Sequence, residues 1–258
     1  MAPLPRPVPD IEGPDALLAC AARGDAGVLR GAASGWPALH RWTPASLRER
    51  LGQRPVPSAR LRGGRLQLDV RRGVDLTTRP AADVLASIER GDGDAYLMAP
   101  LDALPPDLRA EVVLPAPCRG AAWASSKLWV SPAGAISPLH FDIANNLHAQ
   151  LHGTKRFLVF ERGHPLTMYP EPPWSSVPNC SRVDPEAPDL DRFPRFRDAA
   201  PLYCTLSPGD IVFLPTRTWH HVTSLATSIS FNFWWANGTL AWLARAADAL
   251  KRARGINR

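Results

Sequence analysis

The chain of 258 residues has few lysines and no long apolar run. Only Lys127, Lys155 and Lys251 are lysines, so arginine supplies most of the basic charge behind the net charge of +6. No segment approaches the roughly 20 apolar residues of a membrane-spanning helix, and the proline-rich N-terminal stretch lacks the apolar run of a secretion signal. We therefore expect a cytoplasmic protein without a membrane partner.

Paired cysteines and long basic runs are also missing. The four cysteines are scattered and none forms a C-x-x-C pair, which argues against a zinc ribbon or a dithiol redox site. The basic charge is compatible with a nucleic-acid partner, but without a basic run the support for this partner is weak. The arginines between 60 and 72 are equally compatible with a solvated strand face.

Hydrophobic residues make up 45% of the chain, which is enough for one sizeable core, so we predict a single domain over residues 1–258. We expect a mixed α/β lead-in over 1–122 and a C-terminal helix within 237–258. Between them, the many short apolar segments with Gly and Pro punctuation over 123–236 favour a β-sandwich or barrel. The stretch 163–201 has little periodicity and is interpreted as an insertion.

Individual elements follow from local patterns. Thr43 followed by Pro44 is typical of a helix start, and Gly63-Gly64 between alternating residues predicts a hairpin within 60–70. The other predicted helices lie over 15–22, 80–90 and 240–252. The predicted strands lie over 27–30, 95–98, 127–130, 139–142, 146–151, 156–160, 211–214, 221–224 and 229–234.

His140 and Asp142 carry the first chemical signal. Residues two apart in a strand project from the same face, so an imidazole and a carboxylate would point toward one place. This pair suits a divalent metal, and a third ligand would complete the 2-His-1-carboxylate triad of non-haem iron oxygenases. The H-x-D pattern is common, however, and does not establish a metal site alone.

The segment Trp219-His220-His221 carries the second signal, because it follows the apolar run Ile-Val-Phe-Leu and a proline. A late histidine on a strand beside the H-x-D strand is what the triad requires. Two histidines that are satisfied by backbone hydrogen bonds are the alternative interpretation of this segment.

Together these motifs resemble the JmjC/cupin-like family of Fe(II)- and 2-oxoglutarate-dependent oxygenases. The resemblance rests on Ser137-Pro-Leu-His-Phe-Asp, on Lys155 and on Gly-Asp-Ile-Val-Phe-Leu-Pro before Trp-His-His, and it covers roughly residues 96–235. Within the family the chain is most similar to the asparaginyl hydroxylase that acts on hypoxia-inducible factor. The resemblance implies a mainly β fold with flanking helices, the double-stranded β-helix (jelly roll) of cupins, with Fe(II) as cofactor and with 2-oxoglutarate and O2 as cosubstrates.

The resemblance also implies the metal ligands. His140 and Asp142 match the first two ligands, and His220 matches the third, which the family places directly after an aromatic residue. His221 is the alternative, because adjacent strand residues point to opposite faces and one of the pair faces the metal. No catalytic residue is expected beyond the metal centre.

Five further residues match the family's cosubstrate site. Lys155, fifteen residues after His140, corresponds to the cation that pairs with the distal carboxylate of 2-oxoglutarate, and a buried dicarboxylate needs such a partner. Ser137 and Tyr96 match further contacts to that carboxylate, and Asn146 and Asn232 match polar residues beside its metal-bound end.

Two departures from the asparaginyl hydroxylase stand out. His148 replaces an aromatic residue that lines the pocket, where it could contact cosubstrate or substrate. The C-terminal region is too short for paired dimerisation helices, so a homodimer through the 240–252 helix is left open.

The function implied by the resemblance is hydroxylation of a protein or peptide side chain, with succinate and CO2 as co-products. The alternatives are the same chemistry on an RNA nucleoside or a small metabolite, and a non-enzymatic cupin binding protein. N-demethylation ranks below hydroxylation, because the sequence contains no reader module or zinc motif that would indicate chromatin.

Overall fold

The structure, a computed structural model, describes residues 6–71, 73–93, 95–160 and 166–253. Three parts of the predicted domain lie outside the described residues. They are the N-terminal residues 1–5, the start of the predicted 163–201 insertion, and residues 254–258 at the end of the predicted C-terminal segment. In the parts of the chain that are described, no helix is long and apolar enough to cross a membrane.

Six helices and sixteen strands are described. The helices are α1 (Gly13–Arg23), α2 (Pro37–Arg41), α3 (Pro44–Leu51), α4 (Ala81–Arg90), α5 (Pro106–Ala110) and α6 (Gly238–Ala253). The strands of the first half are β1 (Arg6–Pro7), β2 (Gly27–Leu29), β3 (Pro55–Arg62), β4 (Arg65–Leu66), β5 (Leu68–Asp69), β6 (Gly73–Val74), β7 (Leu76–Pro80) and β8 (Ala95–Pro100). The strands of the second half are β9 (Trp123–Ser131), β10 (Ile136–Phe141), β11 (Asn145–His152), β12 (Lys155–Phe160), β13 (Pro201–Leu206), β14 (Ile211–Leu214), β15 (Trp219–Ser224) and β16 (Ser228–Ala236).

The strands confirm the predicted cupin fold. Fourteen of them form one sheet in the order β1-β13-β12-β15-β10-β4-β3-β8-β9-β16-β11-β14-β2, with β7 on β3. Strands β10, β12, β13 and β15 form one side, and β9, β11, β14 and β16 form the other, so the chain crosses between them as in a jelly roll. The extension of one domain over the whole chain stays a prediction.

The two faces of β11 and β16 differ in polarity, and this difference creates the interior of the barrel. Leu147, Ala149 and Leu151 of β11 pack outward against the helices, together with alternate aromatic residues of β16. The residues between them are polar and point the other way, because side chains alternate along a strand. The inward residues of the two strands are Asn146, His148, Gln150, Ser230, Asn232 and Trp234.

Two local predictions are confirmed by the backbone. Thr43 caps α3, since its hydroxyl accepts a hydrogen bond from the amide of Ser46 at 3.1 Å and the hydroxyl of Ser46 accepts one from the amide of Thr43 at 2.8 Å. The β3–β4 hairpin turns at Gly63 and Gly64, which have φ values of 53° and 76°. A Cβ on Gly64 would lie 2.7 Å from the carbonyl oxygen of Gly134, so glycine is required there.

Candidate metal centre

The pairing of β10 with β15 brings the H-x-D motif to the late histidine. His140 lies opposite His220 in this antiparallel pair, and their ring centroids are 4.2 Å apart. Asp142 follows directly after β10, and its Oδ2 lies 3.9 Å from Nε2 of His220. Three side chains from two distant segments therefore meet at one end of the barrel.

The same local contact orients both imidazoles. Nδ1 of His140 lies 2.7 Å from the carbonyl oxygen of Pro138, and Nδ1 of His220 lies 2.9 Å from that of Thr218. A carbonyl oxygen can only accept a hydrogen bond, so Nδ1 carries the proton in each ring. Nε2 then keeps its lone pair, which is the state in which histidine binds a metal.

Asp142 is held by two donors on the strands opposite. Its Oδ2 accepts hydrogen bonds from Nδ2 of Asn146 at 2.8 Å and from Nε1 of Trp234 at 2.9 Å. Burial would raise the pKa of Asp142, but the charges that His220 and His140 can carry, together with these hydrogen bonds, hold the pKa below its usual value. Asp142 is therefore ionised at neutral pH.

His220 is neutral at that pH, because burial, and next the neighbouring His140, lower its pKa to about 4. An ionised carboxylate and a neutral imidazole are the protonation states that a divalent metal requires of its ligands. Among residues 6–71, 73–93, 95–160 and 166–253, no group of three or more His, Cys, Asp or Glu side chains is arranged closely enough to hold a metal ion as it stands. The donor types and their orientation nevertheless fit a ferrous ion at His140, Asp142 and His220.

His221 faces away from this group. It is almost fully buried, and its Nε2 lies 3.9 Å from Oε2 of Glu186 in the 163–201 segment. Burial lowers its pKa to about 4, against the opposing charge of Glu186 and Asp184. Of the two adjacent histidines, His220 is the one that shares a cavity with Asp142.

All eight residues that the family resemblance assigned to the metal and the cosubstrate line one cavity of about 280 Å³. They are His140, Asp142, His220, Lys155, Ser137, Tyr96, Asn146 and Asn232. The two asparagines form a chain that ends on the carboxylate: Nδ2 of Asn232 donates to Oδ1 of Asn146 at 2.9 Å, and Asn146 donates to Asp142. Because a carboxylate only accepts, this chain fixes the orientation of both amides.

Lys155 lies deeper in the cavity and is 1% exposed. Its ammonium donates to Oγ of Ser230 at 2.9 Å and to the hydroxyl of Tyr96 at 3.3 Å, and the Tyr96 ring lies below it at 5.6 Å. These partners are neutral. A buried ammonium that has only neutral partners is costly, so this end of the cavity suits an anionic ligand.

Three features of the site were missed by the sequence analysis. Ser230 was not recognised as a partner of Lys155, although its alternation with Asn232 could have indicated it. Trp234 was not recognised as a hydrogen-bond donor to Asp142. Asp248 of α6 lines the mouth of the cavity and accepts a hydrogen bond from Nε1 of Trp123 at 2.9 Å. No local sequence pattern indicates this contact, because the two residues are 125 positions apart.

The 163–201 segment contributes a wall of the cavity. The amide of Phe141 donates to the carbonyl oxygen of Asn179, and the amide of Ser181 donates to that of Leu139, so this segment continues the sheet beside His140. Val177 and Asn179 line the same cavity. The sequence predicted an insertion over these residues but did not indicate where in the fold it would lie.

Comparison with known proteins agrees with the fold. The family model for the cupin-like domain matches residues 22–239. The chain is 32% identical over 214 residues to lysine-specific demethylase 8 of Xenopus tropicalis, which covers 81% of this chain and 47% of that protein. It is 31% identical over 217 residues to lysine-specific demethylase 8 of Danio rerio, covering 81% of this chain and 52% of that protein.

A third relative is similar over more of its own length. The chain is 28% identical over 243 residues to the bifunctional peptidase and (3S)-lysyl hydroxylase of Homo sapiens, covering 81% of this chain and 76% of that protein. The chain spans about half the length of the two demethylases. With a family match over most of its residues, the chain belongs to the cupin-like domain family.

Proposed function

We propose that the chain is an Fe(II)- and 2-oxoglutarate-dependent oxygenase that hydroxylates a protein or peptide side chain. One observation carries this proposal. Two imidazoles and a carboxylate meet at one end of a cavity whose deeper end holds the buried ammonium of Lys155, which has neutral partners. This combination suits a ligand that offers metal-binding oxygens at one end and a carboxylate at the other.

The metal would be held by Nε2 of His140, Nε2 of His220 and the carboxylate of Asp142. Three protein ligands leave coordination positions open for cosubstrate and oxygen. The chemistry that a bound Fe(II) ion would supply is decarboxylation of 2-oxoglutarate by O2 to succinate and CO2, with transfer of one oxygen atom to a C–H bond.

The cosubstrate would be bound by Lys155 through its distal carboxylate. In the structure, Tyr96 and Ser230 position the ammonium of Lys155, and Ser137 adds a hydroxyl to the same cavity. Carboxylate binding would give the buried charge a counter-charge, which offsets its desolvation. Asn146 would hold Asp142, and the amide of Asn232 would orient Asn146.

Water exclusion would come from the indoles of Trp123, Trp129 and Trp234, which line the same cavity as the metal candidates. A covered site limits side reactions of a reactive centre. The indoles therefore have a role in the proposed reaction in addition to packing.

A cationic side chain is the substrate group that this mouth favours. Asp248 supplies a carboxylate there, and the faces of Trp123 and Trp234 can attract a cation. The names of the relatives, which refer to lysine, point the same way. Hydroxylation of an N-methyl carbon would release formaldehyde and appear as demethylation, so the chemistry is the same and the product distinguishes the two.

Other expectations from the sequence remain predictions. The closer similarity to the asparaginyl hydroxylase and the cytoplasmic location are among them. A homodimer through α6 is supported by its exposed apolar residues Trp242, Leu243 and Leu250. No specific contact among the described residues favours an RNA nucleoside, a small metabolite or a non-enzymatic role over action on a protein substrate.

Succinate release tests the proposal. We expect protein loaded anaerobically with Fe(II) to convert 2-oxoglutarate to succinate on admission of O2, and His140→Ala and Asp142→Ala to lose this turnover. His40→Ala, an exposed histidine outside the cavity, is the matched control and should keep it. Turnover that is unchanged in the two site variants would refute the proposal, and failure of the native chain to bind 2-oxoglutarate would favour a non-enzymatic cupin.

A further inference from the structure

His148 lies between the two ends of the cavity. On β11 it faces inward between Asn146, which contacts Asp142, and Gln150, which lies opposite Ser230 of β16. Alternate residues of a strand are about 7 Å apart, so His148 occupies a middle layer between the metal candidates and the ammonium of Lys155. It lines the cavity together with both.

The imidazole of His148 is buried with an unused polar atom. The residue is 6% exposed, and its Nε2 has no hydrogen-bond partner in the part of the chain that the structure describes. The ring packs edge-on against Phe157, with centroids 5.0 Å apart at 73°, so its plane is supported. A buried polar nitrogen without a partner is costly unless a ligand or water supplies one.

Two neighbouring amides, Asn232 and Gln150, make side-chain contacts with His148. Nδ2 of Asn232 donates to Asn146, and Nε2 of Gln150 donates to the carbonyl oxygens of His152 and Gly153 at 2.7 and 3.1 Å. Oε1 of Gln150 is a buried acceptor without a partner among the described residues, so a hydrogen bond from His148 to Gln150 or to Asn232 is the competing arrangement. The two arrangements differ in what they predict for ligand binding.

The charge state of His148 is settled by its surroundings. Burial, and next the charge of Lys155, hold the pKa of His148 well below its ordinary value. The ring is therefore neutral at neutral pH, with one N–H and one lone pair. A neutral donor beside Lys155 adds direction to anion binding without adding a second buried charge.

We propose that His148 is a specificity-determining residue of the cosubstrate site, whose Nε2–H donates a hydrogen bond to the carboxylate that pairs with Lys155. The inference rests on the proposed function and extends it to a residue that departs from the aromatic side chain of the similar asparaginyl hydroxylase. It predicts that His148 favours a ketoacid with a second carboxylate over one without.

Calorimetric titration of the Mn(II)-loaded chain with 2-oxoglutarate and with 2-oxobutyrate, which has the same ketoacid end but no second carboxylate, tests this role. A hydrogen bond to a charged group makes a difference of about 10- to 100-fold in affinity, so His148→Leu should weaken 2-oxoglutarate binding by that factor. Binding of 2-oxobutyrate should change by less than about threefold. His148→Gln, whose amide nitrogen can replace Nε2, should recover most of the affinity for 2-oxoglutarate.

A direct readout complements the titration. In the native chain the ¹⁵N resonance of His148 Nε2 should shift on addition of 2-oxoglutarate and stay in place with 2-oxobutyrate. Affinity for 2-oxoglutarate that is equal in native chain and His148→Leu would overturn the role and favour the bond to Gln150 or to Asn232. Equal loss for both ketoacids would overturn it in favour of packing. If the native chain binds neither ketoacid, both the role of His148 and the proposed function are refuted.

Discussion

Replacement of Lys155 by methionine separates stability from ligand binding. The ammonium is 1% exposed and its partners, Tyr96 and Ser230, are neutral. Such a charge is unfavourable in the free protein and useful when an anion binds. Lys155→Met keeps a similar length and removes the charge, so the variant should fold as well as the native chain and bind 2-oxoglutarate poorly.

The expected change in stability is small. Replacement of buried ionic groups by apolar side chains of similar volume is neutral or stabilises by up to about 4 kcal/mol. The hydroxyls of Tyr96 and Ser230 each lose a hydrogen bond, which costs about 1 kcal/mol apiece. The free energy of unfolding should therefore change by between about −2 and +2 kcal/mol, or by no more than about 8 °C in Tm.

The expected change in binding is larger. Removal of one partner of a buried charge pair costs about 2 kcal/mol or more, which is at least about 30-fold in Kd. At 100 times the native Kd, a ligand stabilises the native chain by about 2.7 kcal/mol. At the same concentration a 30-fold weaker variant gains about 0.9 kcal/mol, so the shift in Tm should fall to about a third.

Thermal unfolding with Mn(II), in the presence and absence of 2-oxoglutarate, measures both quantities. Lys127→Met is the matched control, because Lys127 lines the same cavity and is half-buried. It should keep the ligand-induced shift in Tm. The reasoning would be refuted if Lys155→Met lost more than about 3 kcal/mol of stability and kept the full shift, which is the behaviour of a structural residue.

Three further predictions concern other parts of the chain. Burial would raise the pKa of Glu111, but hydrogen bonds, led by that from Arg50, lower it; the resulting stability is present above the unfolded-state pKa and is lost as pH falls through the lower folded-state pKa. Glu111→Gln should therefore flatten the acid limb of the stability curve below about pH 4.5, and an unchanged limb in acid titration would contradict this. Asn146→Ala should weaken Mn(II) binding by about 10- to 100-fold because it releases Asp142, and equal affinity by calorimetry would count against the proposed support. Gly64→Ala should destabilise the chain by about 1–3 kcal/mol in urea unfolding, since it combines a positive φ with a close backbone contact, and a neutral result would show that the turn can shift.

The metal candidates could be predicted from the sequence because each depends on a local pattern. His140 and Asp142 are two apart at the end of a strand, and His220 follows an indole. Alternation along β11 determines which residues face inward, since Asn146 and His148 alternate with leucine and alanine, and this pattern is also local. The hydrogen bonds that orient the imidazoles, to Pro138 and Thr218, span two residues each and are equally local.

Other features depend on pairing across the chain and could not be predicted. Strand β13 was not among the predicted strands, although Leu202, Cys204 and Leu206 are buried in alternation. Its place is decided by partners on both sides, β12 and the short β1, about 45 and 195 residues away. The contact between Trp123 and Asp248 likewise depends on where α6 lies.

The division of polarity across the sheet explains how a polar cavity can exist in a stable barrel. Phe231 and Phe233 of β16 are fully buried against the helices, whereas Asn232 of the same strand lines the cavity and Ser230 contacts Lys155. The apolar burial that stabilises this side of the sheet lies between β16 and the helices, outside the barrel. Substitutions inside the cavity should therefore alter ligand binding more than folding, whereas a large-to-small change at Phe231 should cost about 3–5 kcal/mol of stability.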